Sequence, residues 1–360
     1  MNSKSLQKKV HQYVSYVVLA AVAVFFIAAA MMTLPGCETK GTKKNNNNDI
    51  LMQLLLGSSN SNISTFACGG SVPSFYMVKV TNKQMTTYIG TNDGSTATVG
   101  TGTATPSHGY YIGQTEVTYE LWKALYDWAT SNGYTFANPG RQGGDVNPGT
   151  NPVGTNKHPV TTINWRDAMV WCNALTEYAN TLCGSNLGFV YKNGVAPIKD
   201  SRDTNAAICD AVIPDTSVYG FRLPTSNEWE FAARYIADYN GNYDIMDPGE
   251  YYPGNYASGA TANYLDATAT DVVSWYSVNS GSTTHPVAQK AADARGIYDM
   301  SGNVFEWCYD LYNVGPNRVV RGGSWGYIAD WLQVGAVSYA DPGYEVSAIG
   351  FRLAQKVTRY

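Results

Sequence analysis

Apolar and polar positions alternate through Phe75-Tyr76-Met77-Val78-Lys79-Val80, and a second extended run, Tyr110 to Val117, is followed at once by a change of period. A period near two is the mark of a strand with one buried face. From Thr118 the spacing becomes helical, with Leu121, Trp122, Leu125 and Trp128 on one stripe through about Ala129, and Thr118 is placed to cap it. Asn164 caps a second expected helix whose buried stripe is Ala168, Met169, Trp171, Cys172 and Leu175. Thr225 opens a third, and Glu228 completes a capping box, in which the two side chains satisfy two otherwise orphaned amides. Between Gly90 and Thr105, Gly and Thr dominate, and a flexible connection between strands is expected there. The remaining stretches are rich in Gly, Tyr and Asn without a helical period, so the pattern predicts an α+β domain with few helices, short strands and long ordered loops.

The N-terminus follows a different rule. Lys4, Lys8 and Lys9 precede an apolar run from about Val14 to Met32, which ends in Leu34-Pro35-Gly36-Cys37. A charged start, an apolar stretch and a small residue at the cut describe a signal peptide, and Cys after Gly resembles a lipobox, so lipidation is expected at Cys37. An uncleaved anchor is the alternative, because the run is nearly long enough to span a bilayer. In either case the remainder lies outside the cytoplasm, tethered to a membrane, at the outer membrane or cell surface. The expected organisation is a lipoprotein signal peptide over 1–36, a disordered tether over 37–65 containing the polar Asn45 to Asn48 run, and one large domain over 66–360.

Composition narrows the function. The chain is 44% hydrophobic and 14% charged, with 27 Tyr and 9 Trp, as suits a large packed domain. A formal charge of -4 and the lack of a Lys/Arg run after the N-terminus argue against nucleic acid as a partner. With four His and no CxxC or HExxH string, zinc and non-haem iron lack ligands. Cys183 and Cys209 share one irregular stretch and are the expected disulfide in an oxidising compartment, whereas Cys172 and Cys308 sit among apolar residues and read as small buried hydrophobes.

Six strings occur in order: Gly113-Gln114-Thr115-Glu116-Val117-Thr118; Pro159-Val160 with Asn164-Trp165-Arg166-Asp167-Ala168; Phe221-Arg222-Leu223-Pro224-Thr225 with Glu228-Trp229-Glu230; Gly296-Ile297-Tyr298-Asp299-Met300-Ser301-Gly302-Asn303-Val304-Phe305-Glu306-Trp307; Arg321-Gly322-Gly323-Ser324-Trp325; and Gly350-Phe351-Arg352. Together they resemble the formylglycine-generating enzyme, or sulfatase-modifying factor, family from about residue 72 onward. The resemblance implies that family's variant of the C-type lectin fold. As a physical reading, Trp165, Trp229, Trp307 and Trp325 order the loops by burying large areas, and Arg222, Glu228 and Glu230 make charge-assisted hydrogen bonds beneath them. Active members of the family carry two copper-binding cysteines shortly after Gly-Gly-Ser, and here Tyr327 and Leu332 stand in their place. Neither side chain supplies a thiolate for soft Cu(I), so that chemistry is expected to be absent and the chain is not expected to be an enzyme. The resemblance also implies a structural calcium site from Asp299, the carbonyls of Gly302 and Val304, and Glu306; the alternative is that Asp299 and Glu306 simply hydrogen-bond loop amides. No other cofactor is expected.

From Gly326 to Ile349 there is no Asn, Lys or Arg. The runs Gly326-Tyr327-Ile328-Ala329-Asp330, Ala336-Val337-Ser338-Tyr339-Ala340-Asp341, Gly343-Tyr344 and Val346-Ser347-Ala348 are all reachable by changing adenines in Asn codons. Trp331 is the exception. The pattern resembles the variable proteins of diversity-generating retroelements, among them that of Treponema. It implies a ligand-binding region over 325–349 whose contacts are Gly326, Tyr327, Ile328, Asp330, Trp331, Ala336, Ser338, Tyr339, Ala340, Asp341, Tyr344, Val346, Ser347 and Ala348, taking a protein or a glycan. Tyr and Trp give much contact area at little entropic cost. The alternatives are an enzyme with non-cysteine chemistry and a structural envelope lipoprotein.

Overall fold

The computed structural model describes residues 62–80, 109–143, 147–154, 157–236, 252, 254–313 and 315–357. The expected signal peptide, Cys37, most of the expected tether and the Gly/Thr-rich run from Gly90 to Thr105 lie outside the described residues. The fold begins slightly before the expected boundary, since Ile63, Ser64 and Thr65 already pair in a strand with Val78, Met77 and Tyr76.

Five strands form the first sheet. β1 (Ile63–Phe66), β2 (Phe75–Val80) and β3 (Tyr110–Gly113) lie side by side, and the late strand β13 (Ala354–Lys356) joins β3 to β8 (Phe221–Arg222). Every neighbour in this sheet is antiparallel, and β13, the last strand among the described residues, sits inside it between β3 and β8. Two short pairs, β4 (Arg141–Gln142) with β5 (Val160–Thr161) and β6 (Lys192–Asn193) with β7 (Ala196–Pro197), pin the intervening loops.

The three expected long helices form where the caps placed them. α1 (Tyr119–Ser131) starts with Thr118 accepting from the Leu121 amide, and α2 (Trp165–Leu182) starts with a capping box between Asn164 and Asp167. After the short α3 (Ala206–Asp210) comes α4 (Ser226–Ala233), with the expected Thr225–Glu228 box, and α5 (Ala267–Val273) follows. α2 is buried on nearly every side, because Trp122 of α1 stacks on its Trp171 with ring centroids 5.7 Å apart while Phe351 meets both edge-on. Trp165, Trp229 and Trp307 are fully buried as expected, whereas Trp325 is half-buried.

The second sheet carries the region of interest. Its order is β11 (Ser338–Ala340), β10 (Arg318–Arg321), β9 (Phe305–Leu311) and β12 (Ile349–Gly350), with β12 parallel to β9. Alternate side chains go to opposite sides, Phe305, Trp307 and Val320 into one apolar cluster and Cys308 and Val319 into another. A register shift between Arg318 and Val320 sets which residues face which way.

The disulfide corrects the sequence expectation. Cys183 bonds Cys68, not Cys209, with Cα atoms 4.9 Å apart and 115 residues between them in sequence. It staples the β1–β2 connection to the C-terminal end of α2. Tyr178 reinforces the same joint by donating to the Gly69 carbonyl at 2.7 Å. Cys209 is a buried free thiol 3.3 Å from the Asp200 carbonyl, packed into the core by α3 and pointing at a fixed acceptor rather than at Cys183.

Candidate functional site

The base of the site is a buried ionic lattice. Arg352, from the Gly-Phe-Arg string, donates through Nε and Nη2 to both Glu306 oxygens at 2.5 and 2.6 Å, and Trp229 Nε1 adds a third bond to Glu306 at 2.8 Å. Its remaining donors go to the carbonyls of Gly113 and Tyr298, so one guanidinium ties both sheets together. Beside it Glu116 accepts from Asn303 Nδ2 and the Val304 amide at 2.7 and 3.1 Å. Glu230 is clamped between Arg234 and Arg321, and Arg222 pairs bidentately with Glu228. These are the charge-assisted bonds anticipated for Arg222, Glu228 and Glu230.

Burial drives the electrostatics here. It raises the Glu116 carboxyl well above its ordinary range, helped by the nearby charges of Asp299 and Glu306. It also pushes Asp299 up to about 6 despite the Ala288 amide that Asp299 accepts from. Asp299 and Glu306, the two carboxylates expected to hold calcium, are both buried at this base. Both Glu306 oxygens accept from Arg352, one of them also from Trp229, and Asp299 accepts from the Ala288 amide. Among the described residues no group of three or more His, Cys, Asp and Glu is arranged to hold a metal.

Glycines bring the C-terminal segment down onto this base. At Gly302, φ is +90° and a Cβ would stand 2.4 Å from the Trp275 carbonyl; at Gly323, φ is +75° and a Cβ would meet the Trp331 carbonyl at 2.8 Å. Only glycine tolerates both the left-handed backbone and that approach. The Ser324-Trp325 step then launches residues 326–348 across the second sheet.

The segment's backbone is held by the scaffold. Thr162 N donates to the Val346 carbonyl, Trp165 N to Pro342, Ser277 N to Tyr327, and Trp325 Nε1 to Ser347, at 3.0 to 3.2 Å. Phe305 N donates to Ala348 at 2.8 Å. Tyr327 stands edge-on to Phe305 with centroids 5.0 Å apart, and Trp331 contacts both rings edge-on.

Exposure divides the residues expected to touch a ligand. Gly326, Tyr327, Ile328, Tyr339, Asp341 and Tyr344 are exposed, with Tyr327, Ile328, Tyr339 and Tyr344 at 44, 57, 51 and 52%. Asp330, Ser338, Ala340, Val346, Ser347 and Ala348 are half-buried. Ala336 is buried, with its carbonyl accepting from Arg321 at 2.7 Å, so its methyl group is core and not contact surface. Trp331 is half-buried against Phe305 rather than pointing outward, because a ring that size finds its area under Tyr327.

Tyr339 takes the other side of the sheet. Ala340, Trp331 and Val346 pack on the Phe305–Trp307 side of the sheet, whereas Tyr339 stacks on Tyr312, which packs against the opposite cluster, with centroids 4.3 Å apart. Tyr339 and Trp331, both expected to touch a ligand, therefore lie on opposite sides of the sheet. Two supports, Phe305 and Tyr312, went unremarked as site residues. Alternation through Phe305-Glu306-Trp307-Cys308 was available as the signal for the first, but the face of Tyr312 depends on a bulge invisible in sequence.

The positions of the absent cysteine pair differ as sharply. Tyr327 is exposed, and Leu332 is fully buried. Of the cysteines in the described residues, Cys68 and Cys183 are bonded to each other. Burial raises the thiols of Cys172 and Cys308 far above their usual range and pushes Cys209 up to about 12, which disfavours the thiolate that nucleophilic or metal chemistry needs.

Comparison with known proteins places this geometry in context. Treponema denticola variable protein 1 superposes with a TM-score of 0.60 at 30% identity, covering 82% of this chain and 99% of that one. CarF superposes with a TM-score of 0.57 at 27% identity, over 78% of this chain and 99% of that one. The chaperone protein LppX of Paenibacillus barcinonensis is 28% identical over 240 residues, 60% of this chain and 69% of that protein. The formylglycine-generating enzyme of Streptomyces coelicolor is 30% identical over 156 residues, 38% of this chain and 46% of the enzyme. The family described as the sulfatase-modifying factor enzyme 1-like domain matches residues 77–357, a span that contains the ionic lattice, the glycine turns and the C-terminal segment, and the chain belongs to that family.

Proposed function

We propose that this protein is a surface-displayed binding module with a C-type-lectin-like fold, anchored through a lipid on Cys37, whose segment 325–349 varies in sequence and contacts a protein or glycan ligand. The observation that carries the reading is how that segment is held. Its backbone carbonyls at Tyr327, Pro342, Val346 and Ala348 accept from scaffold amides, while the side chains of Tyr327, Ile328, Asp341 and Tyr344 are exposed to solvent. A segment held by its main chain tolerates replacement of its side chains without loss of its path, which is what diversification requires. The likeness to the Treponema denticola variable protein supports the same reading. Exposed tyrosines on a preorganised backbone give contact area with little ordering cost.

The test is genetic. The gene is sequenced from many single colonies of one lineage, together with any near-identical template repeat beside it. Adenine-directed differences confined to codons of the exposed and half-buried positions of 326–348 are expected. Differences that are silent, or spread evenly over the Trp165, Trp229 and Trp307 codons as well, would refute diversification.

A further inference from the structure

Resting on that reading, we propose that the loop 274–280, outside the C-terminal segment, is a fixed part of the binding surface, and that the occupant is a protein presenting an apolar patch beside basic groups. Val278 is 73% exposed and belongs to the loop whose Ser277 amide donates to the Tyr327 carbonyl at 3.0 Å. It therefore extends the exposed pair Tyr327 and Ile328 with a third apolar side chain that segment variation does not change.

The loop is built to stay put. Asn279 accepts from the Tyr276 amide and donates to the Ser274 carbonyl at 2.9 and 3.0 Å, and Ser280 Oγ donates to the Trp325 carbonyl at 2.7 Å. Behind it Trp275 stacks on His285 with centroids 3.7 Å apart, and the Trp275 carbonyl accepts from the Asn303 amide. An exposed valine on so constrained a loop presents the same contact whatever the neighbouring segment encodes.

Chemistry selects the partner. Val278 and Ile328 offer sugar hydroxyls no hydrogen bond, and a hydroxyl buried against them would lose its water without replacement. An apolar protein side chain has no such cost. Toward the end of the segment that Trp325 Nε1 joins by donating to the Ser347 carbonyl, Asp341 and Glu345 are exposed, and Gly326 to Ile349 contains no Lys or Arg. Arg166 lies beside Gly343, yet it is held by both Asp203 and Asp210, so acids outnumber bases there. A partner that places Lys or Arg against this flank gains attraction and a faster encounter.

The probe is a phage-displayed library of three-helix miniproteins randomised over one helix face, panned on the immobilised full chain and, as a baseline, on its Tyr327→Ala variant. A glycan array is read in parallel with both proteins. We expect miniprotein clones that require Tyr327, that are richer in Lys and Arg than the baseline clones, that weaken as ionic strength rises, and that lose affinity about tenfold on Val278→Asp, a loss common for one interface side chain. Val278→Thr, nearly the same shape, serves with circular dichroism to show that the loop still folds. Tyr327-dependent clones that ignore Val278→Asp or lack basic enrichment overturn this inference and leave the binding module standing. Tyr327-dependent array binding that ignores Val278→Asp does the same in favour of a glycan. If neither screen yields any Tyr327-dependent binder, the proposed function itself fails.

Discussion

Replacing Cys68 by Ser opens a cross-link that spans 115 residues of sequence. The main effect lies in the unfolded chain, which the bond keeps from exploring conformations with its two ends apart. In the loop-entropy treatment a closure of that length restricts the unfolded state by about 5 kcal/mol at 25 °C, and measured losses for native disulfides run about 2–5 kcal/mol. Against a domain stability of about 5–15 kcal/mol, that is a large fraction. Tyr178 and the β1–β2 ladder still hold the native connection after the bond is cut, so the loss is that of the freed unfolded chain. Equilibrium urea unfolding of Cys68→Ser, Cys183→Ser and Cys209→Ser, with peptide mapping under non-reducing conditions, checks the reasoning. The first two variants should lose about 2–5 kcal/mol and resemble each other and the reduced parent. Cys209→Ser should lose less, since serine can keep the bond to the Asp200 carbonyl. A Cys183–Cys209 peptide in the map, or a Cys209 variant that falls with Cys183 while Cys68→Ser stands, would refute the connectivity.

Other outcomes follow from the same packing. Arg352→Met should destabilise the domain by about 3–5 kcal/mol, because Glu306 would be left charged and unpaired in the core; calorimetry reads it directly. Asp293 is buried with Oδ2 unpartnered, and burial pushes it up to about 7, whereas the unfolded chain titrates near about 3.9. Its folded pKa is the higher one, so its contribution is full below about pH 4 and is lost as pH rises through about 7. Asp293→Asn should flatten the fall in stability across that window, measured by urea midpoints at stepped pH. Trp331→Ala should cost about 1–3 kcal/mol through lost contact with Phe305, whereas Tyr344→Ala, on an exposed ring, should stay within about half a kcal/mol.

Local interactions were legible in the amino-acid order. Thr118, Asn164 and the Thr225–Glu228 box each act within three residues of themselves, so the starts of α1, α2 and α4 needed nothing from the rest of the chain. The alternation over Phe75 to Val80, the buried tryptophans, the absence of the Gly-Gly-Ser cysteine pair and the Asn-free C-terminal segment were legible for the same reason. Tertiary structure decided what depends on distant partners. Cys183 had a nearer candidate in sequence than Cys68, and only the packing of α2 beneath the β1–β2 connection brings the true pair together. Glu306 is an ion-pair partner because Arg352, 46 residues on, returns beside it through the parallel β12 pairing. The pleat of β11, whose Tyr339 pairs with Val319, turns that ring to the side of the sheet opposite Trp331, and the clamp from Arg321 holds the Ala336 backbone in the core. One residue of register moves a side chain through a sheet, and no local pattern records where that shift occurs.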